Sequence, residues 1–504
     1  MRLIHGGKTI LLGRLLIVIS FLSIVAVGVG AQTPASPQRP SDEKKPEAKV
    51  EQSDETTDEK EIREKLKRLE QTVNELKGQL DSLQAAKDNP KPAITDAVYS
   101  TSTTNASLPA QSAPKPDPGA NDTAGKAAKA PDTTFEVYGF AMLDAGYQFR
   151  QNHPNWFDTV RPTQLPSFRD QFAPDGKTYW GVRQSRLGVK SSTATKYGDL
   201  KTIFEFELFG TGVDAGQTTF RLRHAYGELG QFGAGQYWTA FSDVDAFPNT
   251  FEYWGPNGLV WFRNVQFRWM PLKGKNSVTI AVERPGASAD QGVYADRIEL
   301  DGVRPKLNFP DLTGNARFER GWGHVQVSGI LRSIGWEDIN TEDQFDFSGH
   351  ALGMGVSLSS NLKLGTNDVI RLQGTYGKGI QNYMNDAPVD VGIKITDNPN
   401  EPIEGVAIPM FAMSAFIDHK WNKKFASAFG YSMLNMENTS GQAADAFRRG
   451  QYGIGNLVWY PHEKVTVVGE LQWGRRDNFR DGFSSEDVRI QFGFKYNFSK
   501  VFEL

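Results

Sequence analysis

Residues 488–498 read VRIQFGFKYNF, with Val488, Ile490, Phe492, Phe494, Tyr496 and Phe498 alternating without a break against Arg489, Gln491, Gly493, Lys495 and Asn497. Such a period of two marks a strand with two unlike faces. In a soluble sheet the apolar face covers a core; at a bilayer it meets hydrocarbon while the polar face meets water. Which solvent applies here has to be read from the rest of the chain.

The 504 residues carry 23% charged side chains and a formal net charge of -3, a balance with no bias toward nucleic acid. Fifty Gly, 32 Phe, 15 Tyr and 11 Trp favour strands, tight turns and aromatic belts. Cysteine is absent, which removes disulfides, thiolate metal sites and a cysteine nucleophile. Arg2, Lys8 and Arg14 precede an apolar run from Leu15 to Val29 that ends in small residues. Residues 1–31 therefore read as a signal peptide cut after Ala31, and the chain as exported.

From Phe135 onward the texture is uniform. Sixteen runs of period two, bounded by turn residues, extend from 135–150 to 486–498. Connections after odd-numbered runs are mostly long, whereas those after even-numbered runs are short, among them TATKY, LKGK, WG and PHEK. A soluble sandwich has no reason to sort its loops by parity. An outer-membrane barrel does, because its periplasmic turns are short and its external loops long. The expected fold is all-β: a 16-stranded antiparallel transmembrane β-barrel over residues 133–504, bathed on its outside by outer-membrane lipid.

Facing follows from magnitude, since an Arg on the lipid side near the midplane costs ~2–4 kcal/mol. Leu187, Phe220, Leu222, Val265, Phe267, Ile370 and Leu372 then point outward, leaving Arg186, Lys190, Arg221, Arg223, Arg268 and Arg371 inside, together with Arg332, Arg489 and Lys495. Glu205, Glu207 and Glu470 share the inward phase, but bases outnumber acids there, which favours anions. Arg–Glu pairing within the wall, with no selective role, is the competing reading.

The N-terminal region divides differently. Residues 32–60 form a polar segment expected to be disordered, and residues 85–132 a flexible linker. Between them, over residues 61–84, Ile62, Leu66, Leu69, Val73, Leu76, Leu80 and Leu83 make an a/d seam, expected as a periplasmic coiled-coil helix that pairs with copies of itself. Enzymatic readings find little support: the histidines show no metal-ligand spacing, and no nucleophile motif appears. No cofactor and no metal are expected. His224, in RLRHAYGEL, is read as an interface or subunit-contact residue.

The heptad helix, the tether, the entry strand FEVYGFAMLDAGYQF, and then SRLGVKS, RLRHAYGEL and GQYWTAFSD together resemble the DcaP-like outer-membrane porins over roughly residues 60–498. The resemblance implies a homotrimeric porin that passes small anionic, dicarboxylate-like solutes through an arginine-lined constriction. The pore residues it implies are Arg186, Arg221, Arg223 and Arg268, followed by Lys190, Arg371 and Arg489. In sixteen-stranded porins the loop after the fifth strand folds into the lumen, which here assigns Asp243, Asp245 and Glu252 to a constriction loop opposite a basic wall. Past Phe498 the chain continues with SKVFEL, so either the last strand runs on or a tail follows. The alternative function is an outer-membrane anchor whose coiled coil tethers or senses the cell wall.

Overall fold

The computed structural model describes residues 133–286, 297–340 and 345–503. The signal peptide, the polar segment, the heptad helix from Ile62 to Leu83 and the linker lie outside the described residues.

Sixteen strands make the wall: β1 Thr133–Gln148, β2 Arg186–Thr195, β3 Gly198–Phe209, β4 Thr218–Leu229, β5 Phe232–Trp238, β6 Arg263–Leu272, β7 Asn276–Glu283 and β8 Asp311–Arg320, then β9 Gly323–Asp338, β10 Gly349–Leu364, β11 Asp368–Lys378, β12 Pro409–Lys420, β13 Phe425–Met436, β14 Phe447–His462, β15 Val465–Asn478 and β16 Ser484–Glu503. Each pairs antiparallel with its neighbours in sequence. β16 returns to β1 from Thr134↔Glu503 to Gln148↔Arg489, so the ring closes and no edge of the sheet remains at its ends. Connections after even strands are tight turns; those after odd strands include 149–185, 239–262 and 379–408.

The last strand runs on to Glu503. Phe502 pairs with Phe135, their rings 6.5 Å apart, so the six residues after Phe498 continue the wall and are not a tail. Along β16, Phe492 is 62% exposed on the outside while Arg489, Gln491 and Asn497 are 0% exposed. Leu187, Phe204, Phe267, Leu331 and Leu358 are likewise exposed outward. A surface this apolar is stable only against hydrocarbon or another protein.

The interior is less uniformly wet than the strand pattern implies. Phe241, Val260, Ile380, Tyr383 and Ile408, from two long loops, pack on Ile330, Met410 and Leu434 of the wall. These loops fill part of the bore with an apolar core. The short strands of the long connections have no counterpart among the sixteen runs: Lys177–Gly181 pairs with β1, Val303–Pro305 with β9, and Val391–Ile395 with Ile403–Ala407.

Candidate pore and its lining

The loop 239–262 crosses the bore. Near its start, Asp243 accepts a hydrogen bond from Ser359 Oγ at 2.6 Å, faces His324 Nε2 at 2.7 Å and pairs with Arg317 at 3.3 Å. Asp245 pairs with Arg317 at 2.6 Å, and its carbonyl accepts from Asn361 at 2.6 Å and from Arg371. These contacts fasten the loop to β8–β11. Farther along, Asn249 N–H donates to Asp418 at 3.1 Å, and the N–H groups of Phe251 and Glu252 donate to the Glu470 carboxylate at 2.9 and 3.0 Å. The loop thus reaches β15 on another part of the ring.

This corrects one expectation about the acids. Asp243 and Glu252 do not face a basic wall across open water, because both are buried in the loop's attachments. Glu252 accepts from the N–H groups of Val160, Trp254 and Gly255 and lies 3.8 Å from Arg489. Burial pushes its carboxyl up to about 7, against the pull of Arg489 and those N–H groups. At Asp243 burial acts in the same direction, but His324, Ser359 and Arg317 outweigh it and hold the carboxyl below the ordinary carboxylate range.

Three of the expected pore cations are brought together. Glu207 lies 2.6 Å from Arg223, 3.4 Å from Arg186, 3.6 Å from Arg221 and 3.7 Å from Arg263. Glu205 lies 2.6 Å from Arg223 and 3.7 Å from Arg186, and accepts from the Tyr138 hydroxyl at 2.8 Å. Four guanidinium groups therefore surround two carboxylates, leaving an excess of positive charge. The Nη1 of Arg263 has no acceptor among the described residues.

A bulge explains how β4 supplies so much of this cluster. Glu207 pairs with Arg221 and Phe206 with Leu222, but Glu205 pairs with His224, so Arg223 is an extra residue. Parity flips there, and Arg221, Arg223 and His224 all reach the interior. His224 is consequently not a subunit-contact residue: it is buried against the rings of Tyr237 and Trp238 at 4.7 and 5.7 Å.

The other expected residues are placed elsewhere. Lys190 stands beside the cluster, half-exposed, 4.0 Å from the Tyr138 ring. Arg371 sits under the crossing loop, 2.6 Å from Asp418. Arg268 and Arg489 point inward but are sealed: Arg268 donates to Gln266 Oε1 at 3.0 Å, and Arg489 to Gln472 Oε1 at 2.7 Å. Neither lines the open space.

That space is a cavity of about 1560 Å³. Its lining holds twelve Arg/Lys against five Asp/Glu, in a chain whose formal net charge is -3. Arg161, Arg263, Arg297 and Arg476 belong to it and were not among the expected pore residues. Arg161 lies between the Trp156 and Trp254 rings at 4.2 and 4.0 Å and pairs with Asp386 at 2.9 Å. Arg161 and Arg297 come from long loops, where no alternation gives a facing to read.

Comparison with known proteins gives the same architecture. The DcaP channel of Acinetobacter baumannii is similar in structure, with a TM-score of 0.60 and 19% identity over 75% of this chain and 100% of that one. OmpT of Vibrio cholerae (TM-score 0.46, 13% identity, 73% of this chain and 99% of that one) and the anion-selective porin from Comamonas acidovorans (0.45, 10%, 73% and 100%) are more distant. No curated protein matches the sequence. The model of the DcaP outer membrane protein family matches residues 118–498, across the closed barrel and the loop that crosses it, and the chain belongs to that family.

Proposed function

We propose that the barrel is a passive pore for small anionic, dicarboxylate-like solutes, working as a homotrimer in the outer membrane. The observation that carries this reading is the excess of cations lining a cavity inside an otherwise acidic chain. Fixed positive charge in a narrow, low-dielectric bore concentrates anions and slows cations. Arg186, Lys190 and Arg221 are the partly exposed members of the cluster and would meet the solute directly; Arg223 holds Glu205 and Glu207 in place behind them.

The test is the reversal potential of reconstituted channels in a salt gradient. Wild type should show the sign of an anion-preferring pore, and Lys190→Ala with Arg221→Ala should move it toward zero. A cation-preferring wild type would sink the proposal. A channel that never conducts would favour the anchor reading instead.

A further inference from the structure

On the outer wall, two successive outward positions of β14 carry no side chain. Gly453 and Gly455 alternate with the buried Tyr452 and Ile454, so both face away from the bore. The strand register puts large side chains on either side of them. Gly453 lies between Tyr431 of β13 and Trp473 of β15, and Gly455 lies between Phe429 and Leu471. Leu457, the next outward residue, is exposed and closes the lower end. The result is a trough with apolar walls that runs along β14. Its backbone does not require glycine: neither residue has a positive φ, and a Cβ added at Gly453 would meet nothing nearer than Trp473 at 3.6 Å. At Gly455 an added Cβ would come 3.0 Å from the Phe429 ring, which leans over the floor.

The trough has a polar head. One step above Gly453 stands Gln451, which accepts from the Tyr431 hydroxyl at 2.7 Å, and one step farther stands Arg449. Opposite these two on β15 are Arg475 and Asp477. Arg449 and Arg475 both pair with Asp477, at 2.7 and 2.9 Å, so two guanidiniums share one carboxylate. The register slips between Phe447 and Arg449, and the extra residue, Arg448, is exposed beside them with no ion pair among the described residues. Glu486 of β16 stands opposite Arg475 and accepts from the Trp473 indole at 3.5 Å. Three guanidiniums therefore face two carboxylates, which leaves the head positive.

Depth places this head at the membrane surface. The outward positions of β15 from Val465 to Trp473 carry no charge, and at about 3.4 Å per residue and a tilt of about 40° they rise roughly 21 Å, close to an apolar band of about 25 Å. Trp473 then lies in the interfacial belt, with Arg475 and Arg449 just above it. The long connection 479–483 and its neighbour 437–446 are at this end, which makes it the external side by the odd-strand rule.

The walls also limit what can lie in the trough. They stand two strand spacings apart, about 9.5 Å, and the flanking side chains take up part of that. A single acyl chain fits the remainder, whereas a helix of about 10 Å diameter does not. Guanidinium groups take phosphate through paired N–H bonds, and Gln451 and Asn435, which is paired with Arg449, can bond hydroxyl groups.

We propose that this trough seats a glycolipid of the external leaflet whose sugar head is phosphorylated. One acyl chain lies over Gly453 and Gly455, a phosphate meets Arg449 and Arg475, and Gln451 and Asn435 bond sugar hydroxyls. The site is outside the bore and does not depend on which ions the pore prefers.

The experiment is native mass spectrometry of the full chain in detergent, titrated with diphosphoryl lipid A. Wild type should retain one lipid A per chain, about tenfold more strongly than phosphatidylcholine or phosphatidylglycerol. Gly453→Leu fills the trough and leaves the head, and should weaken retention about fivefold. Arg449→Ala with Arg475→Ala leaves the trough and empties the head, and should weaken it about tenfold. Both variants should keep the wild-type reversal potential, which also shows that they are folded. Millimolar inorganic phosphate should not displace the lipid. Absence of lipid A on wild type, unchanged retention in either folded variant, equal retention of phosphatidylglycerol, or displacement by phosphate alone would each overturn the proposal.

Discussion

Arg223 and Arg221 lie two residues apart on one strand and carry the same charge, yet they should behave differently when removed. Arg223 is buried and lies 2.6 Å from both Glu205 and Glu207. Its loss leaves carboxylates out of water and short of counter-charge, which costs about 3–5 kcal/mol. Arg221 is partly exposed and 3.6 Å from a carboxylate that three other guanidiniums also serve, so its loss should change stability by less than about 1 kcal/mol. Urea unfolding followed by the mobility shift of the folded barrel should show Arg223→Ala strongly destabilised and Arg221→Ala near wild type. Selectivity should respond the other way, with Arg221→Ala altering the reversal potential in a protein that remains folded. At this scale the sequence showed direction but not depth. Alternation correctly sent Arg268 and Arg489 inward, but nothing in a period of two reveals that Gln266 and Gln472 would seal them. The bulge at Arg223 was equally invisible, because one extra residue flips parity without changing composition.

The crossing loop spans the bore, and charged side chains take part in many of its attachments. Deleting 246–256 should raise single-channel conductance, since it removes the span between β11 and β15; unchanged conductance would show that the loop does not limit flow. Acid should loosen the loop at its Asp243 end. This carboxyl is held below its ordinary value, so its ionised form stabilises the attachment. The contribution is therefore full above the ordinary carboxylate pKa of about 4 and fades as pH falls through the folded value. Glu252 has the opposite shift, up to about 7, and takes up its proton earlier in the same titration, in a window where protonation favours the folded loop. The comparison that isolates Asp243 is wild type against Asp243→Asn. Their conductances should differ at pH 7, with the variant more open or noisier, and converge below pH 4. A gap that persists unchanged at a pH well below the folded value would mean the carboxylate charge is not what holds the loop. Position in strand order marked this loop for the lumen, while Ser359 and His324, which hold Asp243, and Val160, which donates to Glu252, lie more than eighty residues away and leave no local trace.

The whole molecule was the most legible level, for a physical reason. A strand at bilayer depth that exposes one cation to lipid loses more than most single packing errors cost, so every strand has to keep its phase, and the phases can be read one residue at a time. Loops obey no such rule, which is why Lys177–Gly181 and the pair Val391–Ile395 and Ile403–Ala407 went unread, as did the apolar cluster around Tyr383. The same physics makes the barrel self-sufficient. Its closure uses β1 and β16 from Thr134↔Glu503 onward, fifteen paired positions that begin only after the proposed tether has ended. Among the described residues, ladder hydrogen bonds and the outward apolar face then hold the ring. Removing 32–132 while keeping the first 31 residues for export should therefore leave single-channel conductance and reversal potential within experimental error of the full chain. If the heptad helix helps gather the subunits, the truncated protein should still assemble, but with its oligomer dissociating at a lower temperature. Loss of conductance with the β-sheet circular dichroism intact would show instead that the N-terminal region reaches into the pore's working, and would give the anchor reading its strongest support.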